Sequence, residues 1–439
     1  VEQYAWGPNG VEDYPWSSRY PLSRGVFQMA AGKLSFPNAP QNPECFGTNG
    51  ETADSHVVYA HPPFGRSSPP AGFLEKLFYN YSYGICYFRD GAFHYWNDHG
   101  YHIRMWEKHH YEDMFRAYRF IRRHSPVRPA GRSVGFVLSL DACAAHKTDC
   151  DDIPEIAPGG GIYNTAEEFV PFIYEQRRKQ GGSAGFVTRM EDLAGLRGED
   201  VSLLVVPPLD GVPEKYQKEL RRLHGEGTSL LGSESPGTLA DLFGLNARSA
   251  PLEVRKILPC EALACPADLS EVPEQRALFA GWDAAAGATL LLRSETDAPV
   301  LSEFASGGPP CAFFHLPPSA VRRAREYFPS YGAESLSTLV NLAAGTVCRR
   351  LERSGVSLSE GSLLDFQDTA GEKHFIISED HWPEGEKTVF PTLVFHMRGI
   401  TREKIESSVP YETLWEKEDA LAISFMLKAH ESAIVSIRT

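Results

Sequence analysis

Paired cysteines, positive charge and long apolar runs are what this chain has least of. Its eight cysteines are scattered over 439 residues. None stands in a Cys-x-x-Cys pair, which argues against a zinc ribbon. Cys143 and Cys150 are near enough in sequence for a local disulfide, but lone thiols suit the scatter better, and the redox compartment stays open. Lys and Arg number 43 against 57 Asp and Glu, a formal net charge of -14, and no basic block offsets it. That balance argues against nucleic acid and anionic membrane as partners. No apolar run is long enough to span a bilayer. No secretory signal is visible in this chain, which leans toward the cytoplasm and leaves the location open. Gly159-Gly160-Gly161 fits neither a dinucleotide fingerprint nor a P-loop and reads as a turn. No cofactor is implied. The chain begins at Val1, inside what reads as structured sequence, so processing or a preceding segment is expected.

Aromatic residues are what it has in quantity: 25 Phe, 18 Tyr and 7 Trp, concentrated in the first 120 residues. Apolar and charged fractions of 42% and 23% are ordinary for a globular protein, and the length suits two to four domains. Three styles of sequence follow one another. Residues 1–128 are aromatic and loop-rich, with strand candidates at 25–30, 57–60 and 85–88, helix candidates at 73–81 and 111–124, and a long loop from Pro37 to Pro70. The Pro- and Gly-marked stretch from Ser125 to Gly131 ends this part.

Residues 129–353 then alternate strand and helix. SVGFVLSL (133–140) is apolar on both faces, as in a buried parallel strand. A helix over 166–180, strands over 183–188 and 201–206, a helix over 214–225 and a strand over 228–231 follow with short turns. Strands over 288–292 and 311–315 and a helix over 335–352 close the segment. This grammar predicts an α/β domain with a doubly wound, flavodoxin-like parallel sheet. From residue 354 to 439 the apolar period changes to 2, over 363–368, 373–378, 392–397, 420–429 and 433–437, and a small antiparallel β-sandwich is expected.

The chemistry is sought in the first part. The strand Ile85–Phe88 delivers Arg89, Asp90, His94 and Trp96 just past its end, and an apolar helical pattern follows from Tyr111. In α/β barrels and doubly wound sheets, ligands bind where strands end. Acid/base carboxyls beside Trp and Tyr faces suit a sugar. Asp90 is the best single carboxylate; its alternative role is an ion pair with Arg89. Glu51, Asp54 and His56 lie just before the strand-like run at Val57, where a solvated turn is the alternative. Trp6, Trp16, Trp96 and Trp106 are candidate stacking platforms, with core packing the alternative for each. His94, Asp98, His99 and His102 form a His-rich cluster, but the spacing fits no zincin helix and substrate contacts suit it better than metal. In the second part, Gly232-Ser233-Glu234-Ser235 follows a strand without the cysteine that an amidotransferase elbow needs.

The order of parts, barrel end, flavodoxin-like domain and small sandwich, resembles the family-42 β-galactosidases and neighbouring glycoside hydrolases. The local likeness is best at Tyr83-Gly84-Ile85-Cys86-Tyr87-Phe88-Arg89, which looks like that family's last barrel strand. Gly25-Val26-Phe27-Gln28-Met29-Ala30-Ala31-Gly32 looks like the strand before it, which carries the nucleophilic Glu in the family. Here Gln28 stands nearest that place, and no carboxylate follows until Glu44. The resemblance implies a partial (β/α) barrel, since only about half of the roughly 250 residues of a full barrel precede Pro126. It also implies an amidotransferase-like domain that serves oligomer contact, and a C-terminal sandwich. It implies a glycosidase acting on a carbohydrate, whose general acid would lie on an earlier strand outside this sequence. The strand-end placement, not the resemblance, makes Asp90, Glu51 and Asp54 the catalytic candidates and puts Gln28, Arg89, His94, Trp96, His56 and Trp16 toward the substrate. The protein is then a homo-oligomer, or a partner segment supplies the rest of the barrel. The alternative is a non-catalytic sugar-binding or assembly subunit.

Overall fold

The computed structural model describes residues 132–139, 185–254, 256–263, 278–305, 307–316, 333–351, 355–378, 388–427 and 432–438, with three short strands and single positions before residue 178. The chain divides into two compact units. One comprises residues 1–131, 177–184 and 353–439; the other comprises 132–176 and 185–352. The expected strands over 25–30, 57–60 and 85–88 lie outside the described residues. Short strands β1 (Glu2–Tyr4) and β2 (Asn42–Glu44) pair in parallel, so part of the expected long loop is strand. A third, β3 (Val127–Pro129), belongs to the sheets of the C-terminal segment.

The second unit begins with β4 (Ser133–Leu138), β5 (Phe186–Arg189) and β6 (Val201–Val205). Helix α1 (Glu214–Gly225), strand β7 (Ser229–Ser233) and one-turn α2 (Ala240–Phe243) follow. Then come β8 (Leu245–Val254), β9 (Ile257–Pro259), β10 (Leu278–Ala284), β11 (Thr289–Ser294), β12 (Pro299–Phe304), β13 (Cys311–Phe314) and α3 (Ala333–Cys348). Eight strands make one sheet in the order β5-β4-β6-β7-β13-β12-β11-β9. From β5 to β13 every pairing is parallel. From β13 to β9 every pairing is antiparallel.

The wholly parallel sheet expected from sequence is therefore corrected to a mixed one. β11 to β13 are joined by short turns that reverse the chain, as at Asp297, which adopts φ 60°, and no helix is inserted to carry it back. β8 and β10 form a separate antiparallel pair. β6 is buried along its whole length, because an apolar strand in mid-sheet has no wet face. Val137, Leu204, Leu230 and Phe313 from the sheet pack with Leu220 and Leu223 of α1 and with Phe243 of α2.

Two polar devices hold this unit together. Gln217 of α1 is buried; its Nε2 donates to the carbonyls of Leu209 (3.3 Å) and Val212 (2.8 Å), and its Oε1 accepts from the Thr238 N–H (2.7 Å) and hydroxyl (2.8 Å). One side chain thus ties the loop after β6 to the turn after β7. Glu303 on β12 is also buried and receives the Arg350 guanidinium beyond α3. Gly244, in the left-handed region at φ 62°, ends α2 against the Phe304 ring, which a Cβ would meet at 2.4 Å.

The C-terminal segment holds β14 (Val356–Leu358), β15 (Ser362–Asp368), β16 (Lys373–Ser378), β17 (Thr392–Phe395), β18 (Ile405–Ser407), β19 (Tyr411–Lys417), β20 (Ala420–Phe425) and β21 (Ser432–Ile437). They form two antiparallel sheets, β14-β17-β20-β19 and β18-β21-β16-β15-β3. Phe375, Ile377 and Val435 of one sheet and Leu393, Phe395, Leu421 and Ile423 of the other are buried in one apolar cluster. Phe375 and Phe395 meet edge to face with centroids 5.7 Å apart. The strand β3 crosses the residue 128/129 boundary expected from sequence, and it pairs Val127 with Asp368.

Candidate functional site

Gln28, Glu51, Asp54, His56, Arg89, Asp90, His94, Trp96 and Trp16, with Asp98, His99 and His102, all lie outside the described residues. The described residues hold two other places where polar chemistry is concentrated: the strand ends of the mixed sheet, and a histidine–carboxylate cluster in the C-terminal sheets.

At the carboxyl end of β7 the chain turns sharply through Ser233, Glu234 and Ser235. Glu234, not Ser233, takes the left-handed conformation, with φ 61°. The Ser235 N–H donates to the Ser233 carbonyl at 2.7 Å, the Leu209 N–H to the Ser235 carbonyl at 3.0 Å, and the Trp282 indole N–H to the Glu234 carbonyl at 3.1 Å. The turn thus places a glutamate, not a serine or cysteine, at its left-handed position. Ser233 Oγ is buried and has no hydrogen-bond partner among the described residues, so none of these supplies a base to activate it.

A cysteine–histidine pair exists elsewhere in the unit: Cys311 Sγ lies 3.5 Å from His224 Nδ1. Burial pushes the Cys311 thiol up to about 12, and the same Nδ1 is 3.1 Å from the Thr228 carbonyl. A thiol so hard to ionise is a packing element and not a nucleophile.

The second cluster is built by a hairpin. Between β15 and β16, Asp368 Oδ1 accepts the backbone N–H groups of Ala370 and Glu372, each at 2.9 Å. Gly371, at φ 86°, supplies the turn's left-handed residue. With Oδ1 fixed by the backbone, Oδ2 lies 3.0 Å from His124 Nδ1 and 3.3 Å from His374 Nε2. Glu372 Oε2 is 3.7 Å from the same His124 nitrogen. The two imidazoles are 4.7 Å apart. His374, on β16 opposite Ser436 of β21, shares a 2.9 Å hydrogen bond between Nδ1 and the serine hydroxyl.

Burial works to raise the Asp368 carboxyl, but hydrogen bonds from His124, the Glu372 backbone and His374 outweigh it and hold it below the usual range. Burial, and then the neighbouring His124, push His374 down to about 4. At neutral pH the site therefore offers an ionised carboxylate facing a neutral imidazole. Beside it is a cavity of about 140 Å³ lined by Arg119, Arg123, His124, Glu406, Ser408 and Ser436, among others. Arg123 and Arg438 both bind Glu406 at its rim, at 3.1 and 2.7 Å.

The sequence pattern did not single out this group. Its signal is Asp368-x-x-x-Glu372-x-His374, a turn that alternates acid and imidazole, but its partner His124 is 244 residues away from Asp368.

No protein-family model matches the chain, and no curated protein matches its sequence. Solved structures do. A cold-adapted β-galactosidase from Rahnella sp. R3 superposes with a TM-score of 0.54 at 11% identity, over 100% of this chain and 60% of that one. The fold is glycoside hydrolase-like. Gan42B, a GH42 β-galactosidase from G. stearothermophilus, gives 0.53 at 14% identity over 100% of this chain and 59% of its own. The α-L-fucosidase isoenzyme 2 from Paenibacillus thiaminolyticus gives 0.52 at 11% identity, over 94% and 62%. The chain spans about 60% of the length of the structures it matches.

Proposed function

We propose that this chain is the C-terminal part of a glycoside hydrolase resembling the family-42 β-galactosidases, cleaving O-glycosidic bonds with paired carboxyl groups. The observation that carries this reading is the likeness to two β-galactosidases over the whole of this chain, with TM-scores of 0.54 and 0.53. In this reading residues 1–128 contribute the end of a catalytic barrel. Asp90 acts at a strand end, with Glu51 or Asp54 approaching from the neighbouring loop. Arg89, His94, Trp96, Gln28, His56 and Trp16 orient the sugar. The chemistry needs two carboxyls and no cofactor.

Residues 129–353 are read as the amidotransferase-like domain, kept for oligomer contact. Its parallel strands follow the order second, first, third, fourth, fifth along the chain, which supports a flavodoxin-like, doubly wound origin for that half of the sheet. The glutamate at the elbow position supports a structural role. Residues 354–439 are read as the C-terminal β-sandwich.

The test is hydrolysis of aryl β-galactosides by the protein and by Asp90→Asn. The expected loss is roughly a thousandfold in rate, with little change in melting. Unchanged turnover in the variant removes Asp90 from the site. The sequence pattern favours a second reading: in the resemblance to the family, Gln28 lies nearest the place of the nucleophilic carboxylate. If the protein binds galactosides yet turns over no aryl glycoside, it is a carbohydrate-binding or assembly subunit completing a partner's barrel.

A further inference from the structure

We propose that His124, Asp368, Glu372 and His374 form a structural site for one divalent transition-metal ion, with zinc the best fit. The inference is independent of the glycosidase reading.

Geometry is the first argument. One ligand atom from each residue, two imidazole nitrogens and two carboxylate oxygens, lies within 4.8 Å of the others. A tetrahedral zinc with ligands at roughly 2.0–2.1 Å needs its donors about 3.3 Å apart. The His374–Asp368, His124–Asp368 and His124–Glu372 separations are 3.3, 3.0 and 3.7 Å. Closing on an ion asks for shifts of a few tenths of an ångström along these three edges, and the other three, all within 4.8 Å, must shorten by up to about 1.5 Å toward the same tetrahedral spacing.

The second argument is how the ligands are held. A ligating group is usually fixed by a hydrogen bond at its other polar atom. Asp368 has that arrangement: two backbone N–H groups grip Oδ1 and aim Oδ2 at the imidazoles. His374 has it as well, with the Ser436 hydroxyl on Nδ1 and Nε2 toward Asp368. His374 and Asp368 are buried, and His124 and Glu372 close the site from the wetter side.

The donor set then selects the ion. Two nitrogens among four ligands disfavour calcium and magnesium, which take oxygen, and suit zinc and its neighbours. Four protein ligands leave no open position, so the ion is structural. It would clamp the segment before β3 to the β15–β16 hairpin. Binding replaces any imidazole proton directed at Asp368 or Glu372, and those protons pass to solvent.

The alternative is a metal-free His–Asp–His hydrogen-bonded chain, and zinc binding separates the two. The full-length protein, stripped with chelator and dialysed, is titrated with ZnCl₂ in a calorimeter and in a melting assay. One equivalent is expected to bind, with a Tm that rises with zinc concentration. Glu372→Gln changes a partly exposed residue and should leave the apo-protein folded while weakening zinc roughly 10- to 100-fold. His124→Ala should do the same or more. Cobalt in place of zinc should give the visible absorption of a tetrahedral site. No stoichiometric zinc in the stripped wild-type protein overturns the proposal. So does zinc binding that both variants leave unchanged.

Discussion

Removing Arg350 should expose how much of the mixed sheet's stability depends on one buried charge. Glu303 sits on β12 with its side chain only 7% exposed, and its partner guanidinium is 45% exposed. Burial raises the Glu303 carboxyl above its ordinary range; the charge and hydrogen bond of Arg350, and the charge of Arg349, oppose that rise. Among the described residues Glu303 Oε1 has no hydrogen-bond partner, so in Arg350→Ala the carboxylate keeps only the charge of Arg349 to hold its own. Breaking a fully buried pair costs about 3–5 kcal/mol, and screening on the exposed arginine side brings this to about 2 kcal/mol.

The sign with pH follows from proton counts. The native carboxyl holds its proton to higher pH than the unfolded one, so unfolding releases a proton in that window. Stability therefore falls as pH rises from the unfolded value through the native one. The loss in Arg350→Ala should be largest at pH 8 and should shrink at pH 5. Adding Glu303→Gln should recover most of it. Urea titrations of the wild type, the single variant and the double variant at both pH values measure this, provided the m-values agree. An equal loss at both pH values, or no recovery with glutamine, would refute the reasoning.

Two further outcomes are expected. His315 is wholly buried with Nε2 at 2.8 Å from the Ser302 hydroxyl, and burial pushes it down to about 3. The unfolded chain therefore binds a proton that the native one refuses. Between the ordinary histidine range and about pH 3 the stability should fall with decreasing pH by about 1.4 kcal/mol per unit. His315→Asn should flatten that slope in acid titrations of unfolding; an unaltered slope would count against it. Gly244→Ala places a Cβ at 2.4 Å from the Phe304 ring on a backbone at φ 62°, and should cost about 3 kcal/mol in denaturant. A loss under 0.5 kcal/mol would show that the ring simply moves aside.

Strongly patterned segments were legible from sequence. The helix over 214–225 matches its predicted limits because Tyr216, Leu220 and Leu223 share a face, and 373–378 matches because the apolar run Phe375–Ile377 is bounded by polar Lys373 and Ser378. β12 is unmarked in the pattern since PVLSEF carries a buried Glu that Arg350, helped by the charge of Arg349, makes tolerable. β19 went unread because YETLWEK is exposed along most of its length, so no period marks an inner face. The β8–β10 pair is split by residues 255–277, and no local turn announces it. The histidine–carboxylate cluster was invisible for a related reason: its hairpin half looks like an ordinary acidic turn, and the decisive histidine arrives from the far end of the chain. His94, Asp98, His99 and His102, by contrast, stand out because they fall within one stretch of nine residues.

β3 has a consequence for synthesis. It is made before the whole of the second unit, yet its hydrogen-bonding neighbour β15 is made after it. On a ribosome, this strand must wait for roughly 230 further residues before its partner emerges, carrying the cost of closing a very long loop. A truncation that stops before residue 353 would strand it permanently, and one that starts after residue 131 would bare an edge of β15 to pairing with other chains. Fragments cut at the apparent linker between the first and second parts are therefore the ones expected to aggregate, and a soluble C-terminal fragment should begin upstream of Val127.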